Sequence, residues 1–325
     1  MKRTSCSRSE TREAKLGKRN SGSETRAMIK SCLSPASRRD YALRSQSLLE
    51  WFELIQRMVS EINRYNQYLR KINILENDMN NFEREKYSRQ ILLFGEDGQE
   101  KLKNAKVLVA GAGGLGSPIS TYLAIAGVGK LILADFDSVD LSNLNRQFLH
   151  HEKDIGRSKV ESAKEKLLSM NPGIEVETIG EMLTESNIES LIPECDIIVD
   201  ALDNLETRHI LNRLAIKRRI PLIHGAVTGY DGQVTTIIPG KTPCFYCIFP
   251  RLSRKEVFPV LGTTPGIIGS IQANEAIKFL TGKGKLLEGR LLFWNGLSGN
   301  FSEISLSKLN NCPVCGSLNE INDTK

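Results

Sequence analysis

No stretch of this 325-residue chain approaches the ~18 consecutive apolar residues that a membrane-spanning helix requires, which excludes an integral helical membrane protein. The start, Met1-Lys2-Arg3-Thr4-Ser5, lacks the apolar core of a secretory signal, so a cytoplasmic location is the expectation. Aromatic residues make up only 6% of the chain, and almost none are interleaved with the basic residues of the N-terminal arm. Stacking platforms for nucleic acid are therefore absent from that arm, and a nucleic-acid partner is not expected. Histidine occurs four times, with no pair at metal-ligand spacing to another His or Cys, and His150 and His151 read as solvated loop residues.

What is present is an ordinary globular composition, 40% hydrophobic and 25% charged, enough for one large α/β core with an appendage. The net charge of +6 is local. Residues 1–45 hold 12 Lys/Arg against 4 Asp/Glu, a surplus of +8 that leaves −2 for the rest, and with few apolar residues this arm has the composition of a disordered segment. From residue 46 to 78 the pattern changes. Leu48, Phe52, Ile55, Val59, Ile62 and Leu69 follow three- and four-residue spacing, which predicts one amphipathic helix and linker. Seven cysteines include two C-x-x-C pairs, a usage that fits metal ligands in a reducing compartment rather than disulfides.

The most informative run is Lys106 to Arg146. A β-branched apolar stretch ends in Gly111-Ala112-Gly113-Gly114-Leu115-Gly116; an apolar helix follows, and a second strand, Leu131 to Ala134, ends at Asp135. Glycines 111, 113, 114 and 116 would let the backbone turn tightly beside a phosphate and open a helix whose N–H groups favour anions. Asp135 stands where a carboxylate can bond ribose hydroxyls. On the glycines alone, a nicotinamide or flavin oxidoreductase is the favoured reading, and a non-catalytic nucleotide-binding scaffold is a further one. The polar continuation from Asp137 through Asn143 to Arg146 changes the balance. An arginine returned to the nucleotide can neutralise charge that grows as pyrophosphate departs, which suits nucleotidyl transfer.

Further along, Lys159 falls in the first turn of a helix expected to open at Gly156, where a cation opposes the helix dipole unless an anion is near. The apolar strand Cys195 to Leu202 ends in Asp203-Asn204, at the edge where α/β sheets keep their ligands; Asp203 is placed to hold Mg²⁺ or to cap the next helix. Cys244-x-x-Cys247 is answered 65 residues later by Cys312-x-x-Cys315. Four thiolates make a closed tetrahedral Zn²⁺ site, hence a structural one.

From about Glu83 to Cys315 the chain resembles the MoeB/ThiF/HesA adenylyltransferases, relatives of ubiquitin-activating enzymes. The resemblance is carried by Tyr87-Ser88-Arg89-Gln90-Ile91, the glycine turn, Asp135-x-Asp137-x-Val139-x-x-Ser142-Asn143-Leu144-x-Arg146-Gln147, Lys159, Asp203 and the paired cysteines. It implies a Rossmann-like, mostly parallel sheet with helices on both faces and antiparallel C-terminal strands, with residues 79–325 as the adenylation domain. It implies ATP and Mg²⁺ as ligands, and adenylation of the C-terminal glycine carboxylate of a small ubiquitin-like sulfur carrier ending in diglycine. The sulfur would come from a separate donor protein. Asn143, Arg146 and Lys159 would contact the phosphates, joined across a homodimer interface by the partner copy of Arg89. The sequence departs from the family between Cys247 and Pro265, where many relatives carry a cysteine that captures the carrier. This loop has none, so covalent capture is not expected.

Overall fold

The computed structural model describes residues 80–250 and 259–316, together with the helical and exposed Met58, Ser60 and Glu61. The basic arm, most of the amphipathic helix expected over 46–78, and most of the cysteine-free loop lie outside the described residues. The chain divides into two compact units at Asp78/Met79, and the architecture that follows is that of the second.

Eight strands form one sheet in the order β3-β2-β1-β4-β5-β6-β7-β8. The first five, β1 (Lys106–Ala110), β2 (Lys130–Ala134), β3 (Glu175–Ile179), β4 (Ile197–Asp200) and β5 (Leu222–Thr228), are mutually parallel. β6 (Asp231–Ile237), β7 (Arg290–Asn295) and β8 (Asn300–Ser305) are antiparallel additions, the C-terminal strands that the resemblance implies.

The uninterrupted apolar runs of β1, β2 and β4 are those of strands covered on both faces. Val107 and Val109 of β1 and Leu131 and Leu133 of β2 face one core. Leu108, Ala110, Ile132 and Ala134, one step out of phase, face the other. The first face is lined by α3 (Gly116–Ile125) through Ile119 and Leu123, α4 (Lys159–Met170) through Val160 and Leu167, and α8 (Thr263–Thr281) through Ile268 and Ala276, with Leu102 from the helix before β1. The second face takes α5 (Ile188–Leu191) and α6 (Leu205–Arg218), whose Leu211, Leu214 and Ala215 share one core with Phe245 of the short α7 (Phe245–Ile248). Before β1 run α1 (Asn81–Lys86) and α2 (Ser88–Asn104). α2 is kinked at Gly95, which has a φ of 77°, and another break falls at Tyr87, between the two helices.

Small residues on α8 serve packing. A methyl group on Gly269 would lie 2.5 Å from Pro118 Cγ and 2.8 Å from the Leu115 carbonyl oxygen, so α8 and α3 touch backbone to side chain at that point. The parallel order 3-2-1-4-5 reverses direction between β1 and β4, and the loops at their carboxyl ends flank the crevice that results.

Candidate active site at the carboxyl edge of the sheet

The glycine turn occupies that crevice. Gly111 has a φ of 106°, and a Cβ on it would sit 2.5 Å from the Ala201 carbonyl oxygen; one on Gly116 would sit 2.0 Å from the Gly111 carbonyl oxygen. No side chain fits either place, so these two glycines are fixed by backbone approach. Gly113 and Gly114 are looser. Gly113 faces Gln147, and Gly114 faces Arg146 and Pro265, which brings the Asn143–Gln147 segment onto the turn.

Asp135, at the end of β2, accepts hydrogen bonds from the N–H groups of Ala112 (2.7 Å) and Asp137 (2.9 Å), tying the turn to the next loop. Burial raises its carboxyl pKa, with the Lys159 ammonium pulling the other way. Asn143 closes a capping box with Asp140, whose N–H it accepts at 3.2 Å, and Arg146 folds back on the Ser142 carbonyl (2.8 Å) and on Asn145 Oδ1 (3.0 Å).

Lys159 is the first residue of α4, which starts three residues later than the glycine signal suggested, because Gly156 takes a φ of 83° in the preceding turn. A short antiparallel bridge between Ser138 and Ser158 delivers it to the Asp135 loop. Its ammonium is almost fully buried and lies 2.7 Å from Asp137 Oδ2, so a carboxylate offsets both burial and the helix dipole. Asp137 has no role assigned from the sequence, where it enters only as part of the motif that runs from Asp135 to Gln147.

Asp203 lies just beyond β4, exposed, with one weak contact from Asn204 Nδ2 at 3.4 Å. The cap of α6 is Asn204, which accepts from the Thr207 N–H at 2.9 Å, so capping is not the task of Asp203. An exposed carboxylate oxygen at this edge suits a hard cation. Beneath it Asp200 is wholly buried. Its carboxylate holds the Leu202 N–H (3.0 Å), Arg208 Nε (3.1 Å) and His224 Nδ1 (2.7 Å), while Arg208 also donates to the carbonyls of Leu202 and Gly225. Burial pushes the Asp200 pKa up, but the Arg208 and His224 contacts outweigh it and hold the group below its usual value.

One expectation needs correction. His150 is not solvated: it is 3% exposed, bonded to the Ala112 carbonyl and to Ser162, whereas His151 is exposed as expected. Arg89, in the first turn of α2, is exposed and has no hydrogen bond to the cluster around the glycine turn among the described residues. Its helix also exposes Leu92 and Leu93, and Phe82 of α1 is exposed as well.

The four cysteines converge. Sγ atoms are separated by 3.9 Å (Cys244–Cys247), 3.7 Å (Cys244–Cys312) and 3.6 Å (Cys247–Cys315), all four are buried, and none is in a disulfide. A tetrahedron with Zn–S bonds of ~2.3 Å has edges of about 3.8 Å, so the thiols fit zinc, and they leave no position open. Cys195, beside β4, is half-buried, and burial pushes its thiol up to about 11.

Comparison with known proteins decides the family. Residues 87–314 match the model of the ThiF family. The chain belongs to the ThiF family. It is 41% identical over 240 residues to the SAMP-activating enzyme E1 of Haloferax volcanii, covering 71% of this chain and 88% of that protein. To the adenylyltransferase and sulfurtransferase MOCS3 of Drosophila yakuba it is 44% identical over 239 residues, 71% of this chain but 53% of the relative, so it spans about half of that longer protein. Among solved structures it superposes on E. coli MccB with ATP at a TM-score of 0.63 and 27% identity, covering 71% of this chain and 73% of that one. The mostly parallel sheet with helices on both faces, its antiparallel C-terminal strands and the zinc-compatible thiols are those expected of this family.

Proposed function

We propose that residues 79–325 adenylate the C-terminal glycine carboxylate of a small ubiquitin-like sulfur carrier. The observation that supports this most is the buried Lys159, held by Asp137 beside Asp135 at the edge where Arg146 packs on Gly114 and Asp203 stands exposed. Two cations, a ribose-binding carboxylate and a metal-binding carboxylate around a glycine turn match the needs of a triphosphate. A dinucleotide would need neither of the cations.

In this reading the carrier's carboxylate attacks the α-phosphorus of ATP and pyrophosphate leaves. The protein contributes positioning and charge neutralisation. Asp135 orients the ribose, Asn143 and Arg146 contact phosphate oxygens, and Lys159 exchanges its Asp137 contact for the triphosphate. Mg²⁺, held by Asp203, supplies further charge neutralisation on the phosphates. The acyl adenylate then awaits a sulfur nucleophile from a separate donor protein, with no cysteine of the 248–262 loop available to capture the carrier. Zinc at Cys244, Cys247, Cys312 and Cys315 keeps the C-terminal segment on the domain.

Exchange of labelled pyrophosphate into ATP tests the reaction. It should require a diglycine-ended carrier and Mg²⁺, and tight NAD binding without exchange would sink the proposal in favour of an oxidoreductase. ATP binding without exchange would make the protein a scaffold. The active unit is proposed to be a homodimer in which Arg89 serves the partner's site, a role suited to an exposed guanidinium flanked by exposed Leu92 and Leu93. Mixing inactive Arg89→Ala and Asp203→Ala proteins should then restore up to about a quarter of the sites when subunits exchange at random. No recovery despite demonstrated exchange would place Arg89 in its own subunit's site or in none.

A further inference from the structure

One buried polar chain runs under the glycine turn and has no part in the reaction described above. His150 Nε2 lies 3.0 Å from the Ala112 carbonyl oxygen and Nδ1 lies 2.9 Å from Ser162 Oγ. Ser162 Oγ accepts from Lys166 Nζ at 2.8 Å, and Lys166 pairs with the wholly buried Asp154. Asp154 is further held by Arg157 (2.8 Å) and the His151 N–H (2.9 Å).

The directions of these bonds are fixed. A carbonyl only accepts, so Nε2 carries the hydrogen; in the neutral ring Nδ1 then accepts, so Ser162 donates to it and uses its lone pairs for Lys166. Burial lowers the imidazole pKa, the bond to the Ala112 carbonyl opposes this, and the ammoniums of Lys166 and Lys159 lower it further; the net lowering favours the neutral ring.

The consequence lies on the other side of the peptide plane. Peptide bonds in the turn are trans, so the Ala112 carbonyl and the Gly113 N–H point in opposite directions from one rigid unit. His150 pins the carbonyl inward. The preceding peptide is pinned as well, by the bond from the Ala112 N–H to Asp135. Among the described residues the N–H groups of Gly113, Gly114 and Leu115 have no hydrogen-bond partner, whereas those of Gly111 and Ala112 do.

We infer that His150 is a positioning residue: by holding the Ala112 carbonyl it locks the Ala112–Gly113 peptide so that the Gly113 N–H is presented to a nucleotide phosphate. This rests on the nucleotide reading of the turn. Asp135 and His150 thus divide the ligand between them, Asp135 governing the ribose end and His150, through the backbone, the phosphate end. Ser162, Lys166 and Asp154 hold the ring in its tautomer.

The test compares ATP with adenosine, which lacks phosphates, on the wild-type chain and on His150→Leu, His150→Gln and Ser162→Ala. Affinities come from calorimetry for ATP with Mg²⁺ and from competition for adenosine. His150→Leu should weaken ATP by about tenfold or more while adenosine changes less than about twofold, because only the phosphate end loses a charge-assisted hydrogen bond. His150→Gln, which carries a donor to similar reach, should recover most of the ATP affinity, and Ser162→Ala should show a smaller loss of the same kind. Equal losses for ATP and adenosine, or none for either, would overturn the inference and leave His150 a packing residue. Should His150→Leu fail to fold, the Gln and Ser162→Ala variants carry the same comparison, and an unchanged ratio of ATP to adenosine affinity in Ser162→Ala would count against it. A wild-type chain that binds neither ligand would instead remove the nucleotide reading itself.

Discussion

The two ends of the sheet solve the same problem, holding loops in place, by different chemistry. At the parallel end the loops are held by hydrogen bonds and ion pairs: Asp135 to two N–H groups, Lys159 to Asp137, Asp200 to Arg208, His224 and Leu202. At the antiparallel end four buried thiols gather two segments that no strand pairing joins. Hydrogen-bonded loops can trade a partner for a ligand, as Lys159 would trade Asp137. A closed four-thiolate centre has no position to trade. Substitutions at the first end should therefore register in chemistry, and those at the second in stability.

The largest expected effect tests the first half of that statement. Asp203→Ala should slow pyrophosphate exchange by about 10²–10³-fold or more, the scale of losing one charge-stabilising group, and shift the melting temperature by no more than about 2 °C, since the side chain is exposed. A large loss of stability would show that the carboxylate is structural. Next in size is the converse. Cys312→Ser should lower the melting temperature by about 5–10 °C and reduce bound zinc from about one per chain, with ATP affinity altered less than about threefold. Zinc-free protein of unchanged stability would remove the staple.

The smallest effect sharpens the seam between the two ends. His224 sits on the last parallel strand, bonded to Asp200, and its ring packs edge-on against Phe245, the neighbour of Cys244, with centroids 4.9 Å apart. Burial lowers the His224 pKa, with Asp200 opposing. A lowered folded pKa means that the unfolded chain takes up a proton first, so stability is full above the unfolded value of ~6.5 and falls as pH drops below it. Asp200, also held below its usual value, adds a second loss below about pH 4. Melting curves between pH 7 and 5 should show the first loss, and His224→Gln should flatten part of it; His150, buried with a lowered pKa, accounts for another part. An unchanged slope in His224→Gln would mean that this histidine does not govern the seam's pH response.

Much of this was legible in the chain. The runs at Val107–Ala110 and Leu131–Ala134 are apolar without alternation, as strands covered on both faces must be. The paired cysteines carried their spacing openly. The polar supports were not legible. His150 is buried because Ala112, 38 residues earlier, and Ser162, 12 later, come to its two nitrogens, and no local pattern encodes either distance. Asp200 was hidden inside an apolar strand for the same reason: its partners Arg208 and His224 lie on other elements. The start of α4 was misplaced because Gly156, read as a helix opener, supplies a left-handed turn instead.

The spacing of the cysteines also sets an order of events in time. All five parallel strands and the glycine turn end by Thr228, whereas the thiol centre needs Cys312, which leaves the ribosome 65 residues after Cys247. At ~5–20 residues per second that interval is roughly 3–13 s. The parallel strands and the glycine turn can thus be in place while the first thiol pair still waits for the second, so under the proposed zinc reading metal uptake would come last.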